Sequence, residues 1–374
     1  MTITIKEWLS ANIKGDKQIW WIVAILTTFS LLIVYSASGA KYSPELYLFK
    51  HLFHLLLALI GMWFAHRLDY GYYAKLSNVG LIASALLLVY ARYYGVSLNE
   101  ATRWVVIAGV QFQPSDLAKL ALIANLATML ARRQRISYKE NLWHGLGFMI
   151  LKCCIICGLI AMSNASNGLL LLVTCFIVMF IGRVPLKYLA SLSIIGLLCV
   201  VIGLKASKER WDTAINRVDR FVNSWQNSDN TVYQIKEGYK AMANGGVFGV
   251  GPGNSHQRNF LPYCYADFIY PIIIEEWGLM GGVFIIIIFI WLLYRGLHIL
   301  QKSDRALGGL LAAGLSTSLV LQALVNMAVT VELFPTTGLT LPLLSMGGTS
   351  LLFTGLSIGI ILSVSRGGVD ESKI

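Results

Sequence analysis

The stretch FIYPIIIEEWGLMGGVFIIIIFIWLL, residues 268–293, decides the fold. Its only charged residues are Glu275 and Glu276. About 20 apolar residues suffice for a helix to cross a bilayer, and this run exceeds that. Runs of the same character lie on both sides, at 20–38, 48–66, 76–93, 114–130, 145–162, 167–182, 186–204, 306–328 and 347–364. Together they predict an all-α, polytopic membrane protein with ten transmembrane helices. Ser163-Asn164-Ala165-Ser166 reads as the tight turn between the fifth and sixth. One long external loop, 205–267, interrupts a single membrane domain spanning 1–374.

Composition agrees. Of 374 residues, 56% are hydrophobic and only 13% charged, with a mean hydropathy of +0.65. A soluble enzyme, a disordered chain and a secreted disulfide scaffold are excluded, because none accommodates that much apolar surface. The net charge of +11 could suggest nucleic acid, but the basic residues fall largely between apolar runs, where lipid headgroups account for many of them. No nucleic-acid partner is expected. With the N-terminus on the cytoplasmic side, sixteen Lys and Arg lie on that side and four in the short external loops. This bias predicts both termini in the cytoplasm of a bacterial inner membrane. No cleavable signal peptide is evident. Five of the six cysteines lie in apolar runs, where Cys154 and Cys157 read as core packing; Cys264 alone lies in a polar loop.

The long loop is too long to be a plain connector. Val232, Ile235, Tyr239 and Met242 recur at helical spacing and predict a short amphipathic helix. Next, Gly245 to Ser255 holds a dense set of glycines, and Asn254 and Ser255 close it. Such a loop either brings backbone N–H groups to an anion or is a compact turn with no ligand. Asp267 stands where the chain re-enters the apolar phase, either as a helix N-cap or as a chemical group. Glu275 reads as an interhelical hydrogen bond or as an ion or proton site.

Further candidates lie in the spans. Asp116 and Lys119, three residues apart, meet on one helical face, as bundle glue or as part of a polar cavity. Arg103 offers a guanidinium fork for phosphate, or is a solvated charge. Trp104 stacks on a sugar face or anchors at the interface. Gln322 hydrogen-bonds between helices or faces the site. The stretch 335–350, which carries Ser345 and Ser350, reads as an external loop or as a chain dipping back to line a cavity. His51 and His54 share a helical face without a carboxylate or thiol at metal-ligand spacing.

These motifs, in order, resemble the SEDS family of shape, elongation, division and sporulation proteins. The resemblance is carried by Tyr35-Ser36-Ala37-Ser38, Arg103-Trp104, Gln113-Pro114-Ser115-Asp116 with Lys119, Gly249 to Ser255, Phe260-Leu261-Pro262, Asp267-Phe268-Ile269 with Glu275-Glu276, and Gln322 to Ser350. The Gly251 to Ser255 stretch is more like the cell-division branch than the elongation branch. The family polymerises lipid II at the outer face of the inner membrane. The resemblance therefore implies an inverting glycosyltransferase that serves septal cell-wall synthesis. It extends a glycan held on undecaprenyl pyrophosphate and releases that carrier. Asp267 would be catalytic. Arg103, Trp104, Asp116, Lys119, Asn254, Ser255, Glu275, Gln322, Ser345 and Ser350 would contact substrate. A class B penicillin-binding protein with transpeptidase activity is the implied partner, alongside other divisome proteins. A pyrophosphate leaving group suits a divalent cation, Mg or Mn, although the sequence offers no dedicated ligand cage. Tyr263, Tyr265 and Ala266 depart from the Glu and His-Thr usual ahead of the aspartate, and Asn164-Ala165-Ser166-Asn167 stands where Pro-Asp-Leu-Gly is usual. Two other readings compete: a lipid II flippase, and a silent scaffold that activates the penicillin-binding partner.

Overall fold

The computed structural model describes residues 14–39, 44–98, 101–107, 110–135, 142–206, 208–226 and 232–367. Its helices are α1 (Lys17–Ala37), α2 (Pro44–Arg67), α3 (Tyr70–Tyr94), α4 (Pro114–Arg135), α5 (Leu142–Ala161), α6 (Ala165–Ile181) and α7 (Leu186–Lys205). Then follow α8 (Lys208–Gln226), α9 (Tyr233–Gly245), α10 (Ile269–Lys302), α11 (Ala306–Thr330) and α12 (Thr349–Ser365). Between α3 and α4 lie three short strands, β1 (Val96–Leu98), β2 (Ala101–Ile107) and β3 (Val110–Phe112), in one antiparallel sheet of order β1-β2-β3.

The chain is a helical polytopic membrane protein. Among the described residues, six helices are long and apolar enough to cross a membrane: α1, most of α2, α3, α7, α10 and α11. Three shorter apolar helices lie within α5, α6 and α12. Large apolar side chains such as Leu279, Phe284, Ile287 and Ile290 line the outside of α10, a surface suited to lipid rather than water. The small sheet departs from the all-α expectation. Its strands are too short for alternation to stand out, although β2 does alternate, with Val105 buried and Val106 exposed.

Helix α11 is the hub. In its most apolar window 78% of residues are buried, against 28–44% in the other five long helices. Small residues let neighbours approach closely. A Cβ on Gly296 of α10 would lie 2.0 Å from Ser316 Oγ of α11, and one on Gly355 of α12 would lie 2.2 Å from the Ala58 carbonyl of α2.

One end of the bundle gathers the basic rim. The Arg295 guanidinium pairs with Asp16, whose backbone N–H donates to Ser365 Oγ at 2.9 Å, and Arg366 donates to the Arg67 carbonyl at 3.2 Å. The opposite end holds the start of α10, the glycine-rich loop and the irregular stretch between α11 and α12.

There the structure departs from a simple helix count. Gly278, at φ +70, interrupts α10. The glycine-rich loop splices into the break. Val250 and Gly251 N–H donate to the Glu275 and Glu276 carbonyls at 2.9 and 3.0 Å, while Leu279 and Met280 N–H donate to the Gly246 and Val247 carbonyls at 2.9 and 3.3 Å. The helix surrenders its own bonds and the loop restores them, as buried backbone polar groups require. The expected amphipathic helix corresponds to α9, with Ile235 buried. Helix α8 was not expected, although Trp211, Ile215, Val218 and Val222 carry a helical spacing.

Candidate active site

Asp267 lies in a turn, one residue before the N-cap of α10. That cap is Phe268, without a side-chain bond, so the aspartate does not occupy the N-cap. Leu261, Cys264 and Phe268 are fully buried in a small cluster with Ala37, Ile235 and Ile272, which pins the turn. The aspartate stays half-buried at its rim. Asn326 Nδ2, near the end of α11, donates to the Asp267 carbonyl at 2.9 Å and to the Leu339 carbonyl at 2.6 Å. One buried amide thus ties the aspartate's turn to the 335–350 stretch.

Residues 335–348 of that stretch are non-helical and yet buried at Leu339, Leu341, Leu343, Leu344 and Ser345. Side chains from several elements satisfy its backbone. Gln322 Nε2 donates to the Thr340 carbonyl at 3.0 Å, Ser30 Oγ to the Leu344 carbonyl at 3.0 Å, and Leu341 N–H donates to Ser345 Oγ at 2.9 Å. Burial sets this stretch apart from an open loop, and Ser350 at its end lines the pocket beneath it. Ser345 serves the turn itself.

One turn deeper, four expected residues meet. Asp116, Lys119, Gln322 and Ser350 line one pocket, with Ser318, Thr354 and Ser357. Its volume is about 30 Å³, room for about two waters. Lys119 Nζ lies 3.2 Å from Asp116 Oδ1 and 3.3 Å from Gln322 Oε1, and both charged side chains are nearly buried. An ion pair so placed needs its extra hydrogen bond, because desolvation offsets most of the attraction. Gln322 and Asn326 are four residues apart on α11, roughly 6 Å along the axis. A polar track therefore runs from Asp116 and Lys119 through Gln322 and Asn326 to the turn of Asp267.

Other expected residues are engaged in holding the loop. Glu275 accepts from Ser255 Oγ and from the His256 and Gln257 N–H groups at 3.2 Å. Glu276 accepts from Ser36 Oγ. Both carboxylates are buried, and the N–H groups just past the glycine-rich loop bond Glu275. Asn254 is exposed and donates to the Val250 carbonyl at 3.2 Å. Trp104 is half-buried in β2, opposite Val96; the Arg103 backbone lies in the same strand, and its side chain is outside the described residues. Among the described residues no three His, Cys, Asp or Glu side chains form a metal-binding group. His51 is buried against Ser30 Oγ at 2.7 Å.

The Arg258 guanidinium turns inward and bonds the Ser36 carbonyl at 3.1 Å and Ser36 Oγ at 3.2 Å. Cys264 donates to the Ala37 carbonyl at 3.1 Å, and burial pushes its thiol up to about 11. Arg258 and Asp267 act on that thiol in opposite senses, so a cation and the candidate carboxylate share its neighbourhood.

Residues 16–368 match the model of the FtsW, RodA and SpoVE family of cell cycle proteins. The chain belongs to this family. Among its relatives, a probable peptidoglycan glycosyltransferase FtsW of Geobacter sp. (strain M18) is 32% identical, covering 94% of this chain and 96% of that protein. Stage V sporulation protein E of Bacillus subtilis (strain 168) is also 32% identical, covering 92% and 95%. The solved Thermus thermophilus rod shape determining protein RodA is 26% identical, with a TM-score of 0.69 over 94% of this chain and 97% of that one. A chain from a peptidoglycan synthase complex coordinating polymerization and crosslinking is 24% identical, with a TM-score of 0.74 over 94% and 98%, a likeness of fold. Similarity to FtsW, SpoVE and RodA members alike does not separate this family member into a division or an elongation branch.

Proposed function

We propose that this family member is a peptidoglycan glycosyltransferase that polymerises lipid II at the outer face of the bacterial inner membrane. Homology to glycosyltransferase relatives supports an enzyme. The observation that carries the reading is the half-buried Asp267 at the mouth of α10, tied through Asn326 and Gln322 to the buried Asp116–Lys119 pair.

In the reaction the 4-hydroxyl of an incoming lipid II attacks the anomeric carbon of the growing glycan. A new C–O bond forms, the bond to pyrophosphate breaks with inversion, and undecaprenyl pyrophosphate leaves. Asp267 accepts or orients the hydroxyl proton, a role worth roughly 10²–10⁴-fold when geometry is fixed. Arg103 is suited to the leaving pyrophosphate as a cation, while Lys119 stays paired with Asp116 beneath the site.

The ten spans are α1 to α7 and α10 to α12, with α4 the least apolar because it carries Asp116, Lys119, Arg132, Arg133 and Arg135. Both termini are then cytoplasmic, and α8, α9 and Asp267 external. A class B penicillin-binding protein is the partner we infer, supported by the fold shared with a polymerization and crosslinking complex. A septal role rests on the loop at Gly251 to Ser255.

Purified chain in liposomes with lipid II tests the reading, alone and with the transpeptidase. Glycan strands and released undecaprenyl pyrophosphate are expected. Lipid II movement across the bilayer without chain growth would favour a flippase. Partner activation without any glycan product would favour a scaffold.

A further inference from the structure

Midway along α5 the chain carries a cation that the glycan chemistry does not use. Lys152 lies about 15 Å from the start of α5 at Leu142, near the middle of a ~30 Å hydrocarbon core. Asn125 of α4 lies about 16 Å from the start of its helix, and Asn78 of α3 about 12 Å from the start of its own. The three side chains bond one another. Asn125 Nδ2 donates to Asn78 Oδ1 at 2.7 Å and to Ser77 Oγ at 3.2 Å. Lys152 Nζ donates to Asn78 Oδ1 and Asn125 Oδ1, both at 3.0 Å, and otherwise meets only the Met129 sulfur at 3.9 Å, a weak acceptor.

Both amide oxygens are thereby used, and what remains are donors: the Asn78 Nδ2 group and the third N–H of Lys152. Among the described residues no carboxylate pairs with Lys152. This surplus lies on the outside of the bundle. Asn78 is exposed and Lys152 half-buried, and Ile82, Phe148, Leu151 and Ile155 of the same two helices are exposed apolar neighbours. An intramembrane ionisable group ordinarily faces the bundle interior or a water-filled cavity, because hydrocarbon offers no acceptor. A lysine serving headgroups would snorkel toward them, whereas Lys152 is held on two amides at mid-depth. Two copies meeting symmetrically here would set Lys152 against Lys152, so the complement belongs to a different chain.

We infer that the seam between α3 and α5 is an intramembrane docking site for a partner's transmembrane helix that carries an Asp or Glu at mid-depth. The two oxygens of one carboxyl group accept from Lys152 and from Asn78 Nδ2, and the apolar flanks pack against the rest of the helix. Neither residue lines the pocket of Asp116 and Lys119. The site goes beyond the glycosyltransferase reading and needs only that α3 to α5 are spans.

The test uses the full chain in liposomes and a synthetic leucine–alanine transmembrane helix with one central Glu and a neighbouring Trp. Bimane on Ile82→Cys, in a Cys199→Ala chain, is quenched on contact with that Trp. The Glu helix is expected to bind roughly three- to thirtyfold more tightly than the same helix with Leu in place of Glu. Lys152→Met removes this preference, and Asn78→Leu, which keeps the cation, reduces it. Bimane on Phe284→Cys, on the outside of α10, shows no preference. Equal binding of the Glu and Leu helices, an undiminished preference in Lys152→Met, or the same preference read at Phe284 overturns the site. The comparison of the two helices leaves Lys152 and Asn78 intact, so it decides even where Lys152→Met fails to fold. Glycan synthesis is no part of the readout, so failure of the site and failure of the polymerase reading are told apart.

Discussion

Lys119 and Asp116 bear most of the buried charge at the centre of the site. Removing one partner leaves the other desolvated and uncompensated, at about 3–5 kcal/mol for a buried pair. Lys119→Ala should therefore lower the unfolding temperature in detergent, and the Asp116→Ala, Lys119→Ala double variant should recover part of the loss. Equal melting of single and double variants would contradict a direct pair. At the rim, Tyr239 donates to Glu332 Oε2 at 2.9 Å, and burial followed by that carboxylate raises its phenol to about 12. A phenol raised in the folded state keeps its proton longer than the unfolded chain does. Its stabilisation is complete below the unfolded value near 10 and is lost as pH rises toward about 12. The unfolding temperature of wild type should fall more steeply above pH ~10 than that of Tyr239→Phe. At this scale the sequence named Asp267, Asp116, Lys119 and Gln322, because charged and polar groups in or beside apolar runs are conspicuous. It could not show that Glu275 and Ser255 bond each other, or that Arg258 turns inward to Ser36, because such pairings depend on how distant segments meet.

Among the elements, α10 and the glycine loop behave as one unit. A Cβ on Gly249, at φ +84, would lie 2.2 Å from the Glu276 carbonyl, and one on Gly278 would lie 2.2 Å from the Val247 carbonyl. Gly249→Ala should cost about 2 kcal/mol or more from conformation and clash together. Hydrogen exchange should then speed up at Val250, Gly251, Leu279 and Met280, whose N–H groups cross the splice. Unchanged protection there would contradict it. The dense glycines were legible as a special loop, but their partner was not, because backbone pairing leaves no side-chain signature. Helix α8 and β1 to β3 were passed over for a different reason: both lie in polar connections, where apolar periodicity is short and competes with much stronger membrane runs.

For the whole molecule, hydropathy and loop charge carried the architecture. Long apolar runs read directly as helices, and the basic residues gather at the end where Asp16, Arg295 and Arg366 meet. Sidedness follows as a prediction. Asn254→Cys should react with an impermeant maleimide in intact cells, and Lys302→Cys only after permeabilisation. Both positions are exposed, and Cys264, buried and protonated near neutral pH, adds little background. The reverse pattern would invert the whole assignment.

The most direct measurement is glycan synthesis from purified lipid II by reconstituted Asp267→Asn beside wild type, with partner present and unfolding temperatures matched. Loss of roughly 10²-fold or more in product, with lipid II still bound, is the expected result. Glycan strands of ordinary length and rate from the asparagine variant would contradict a proton-handling carboxylate at the mouth of α10.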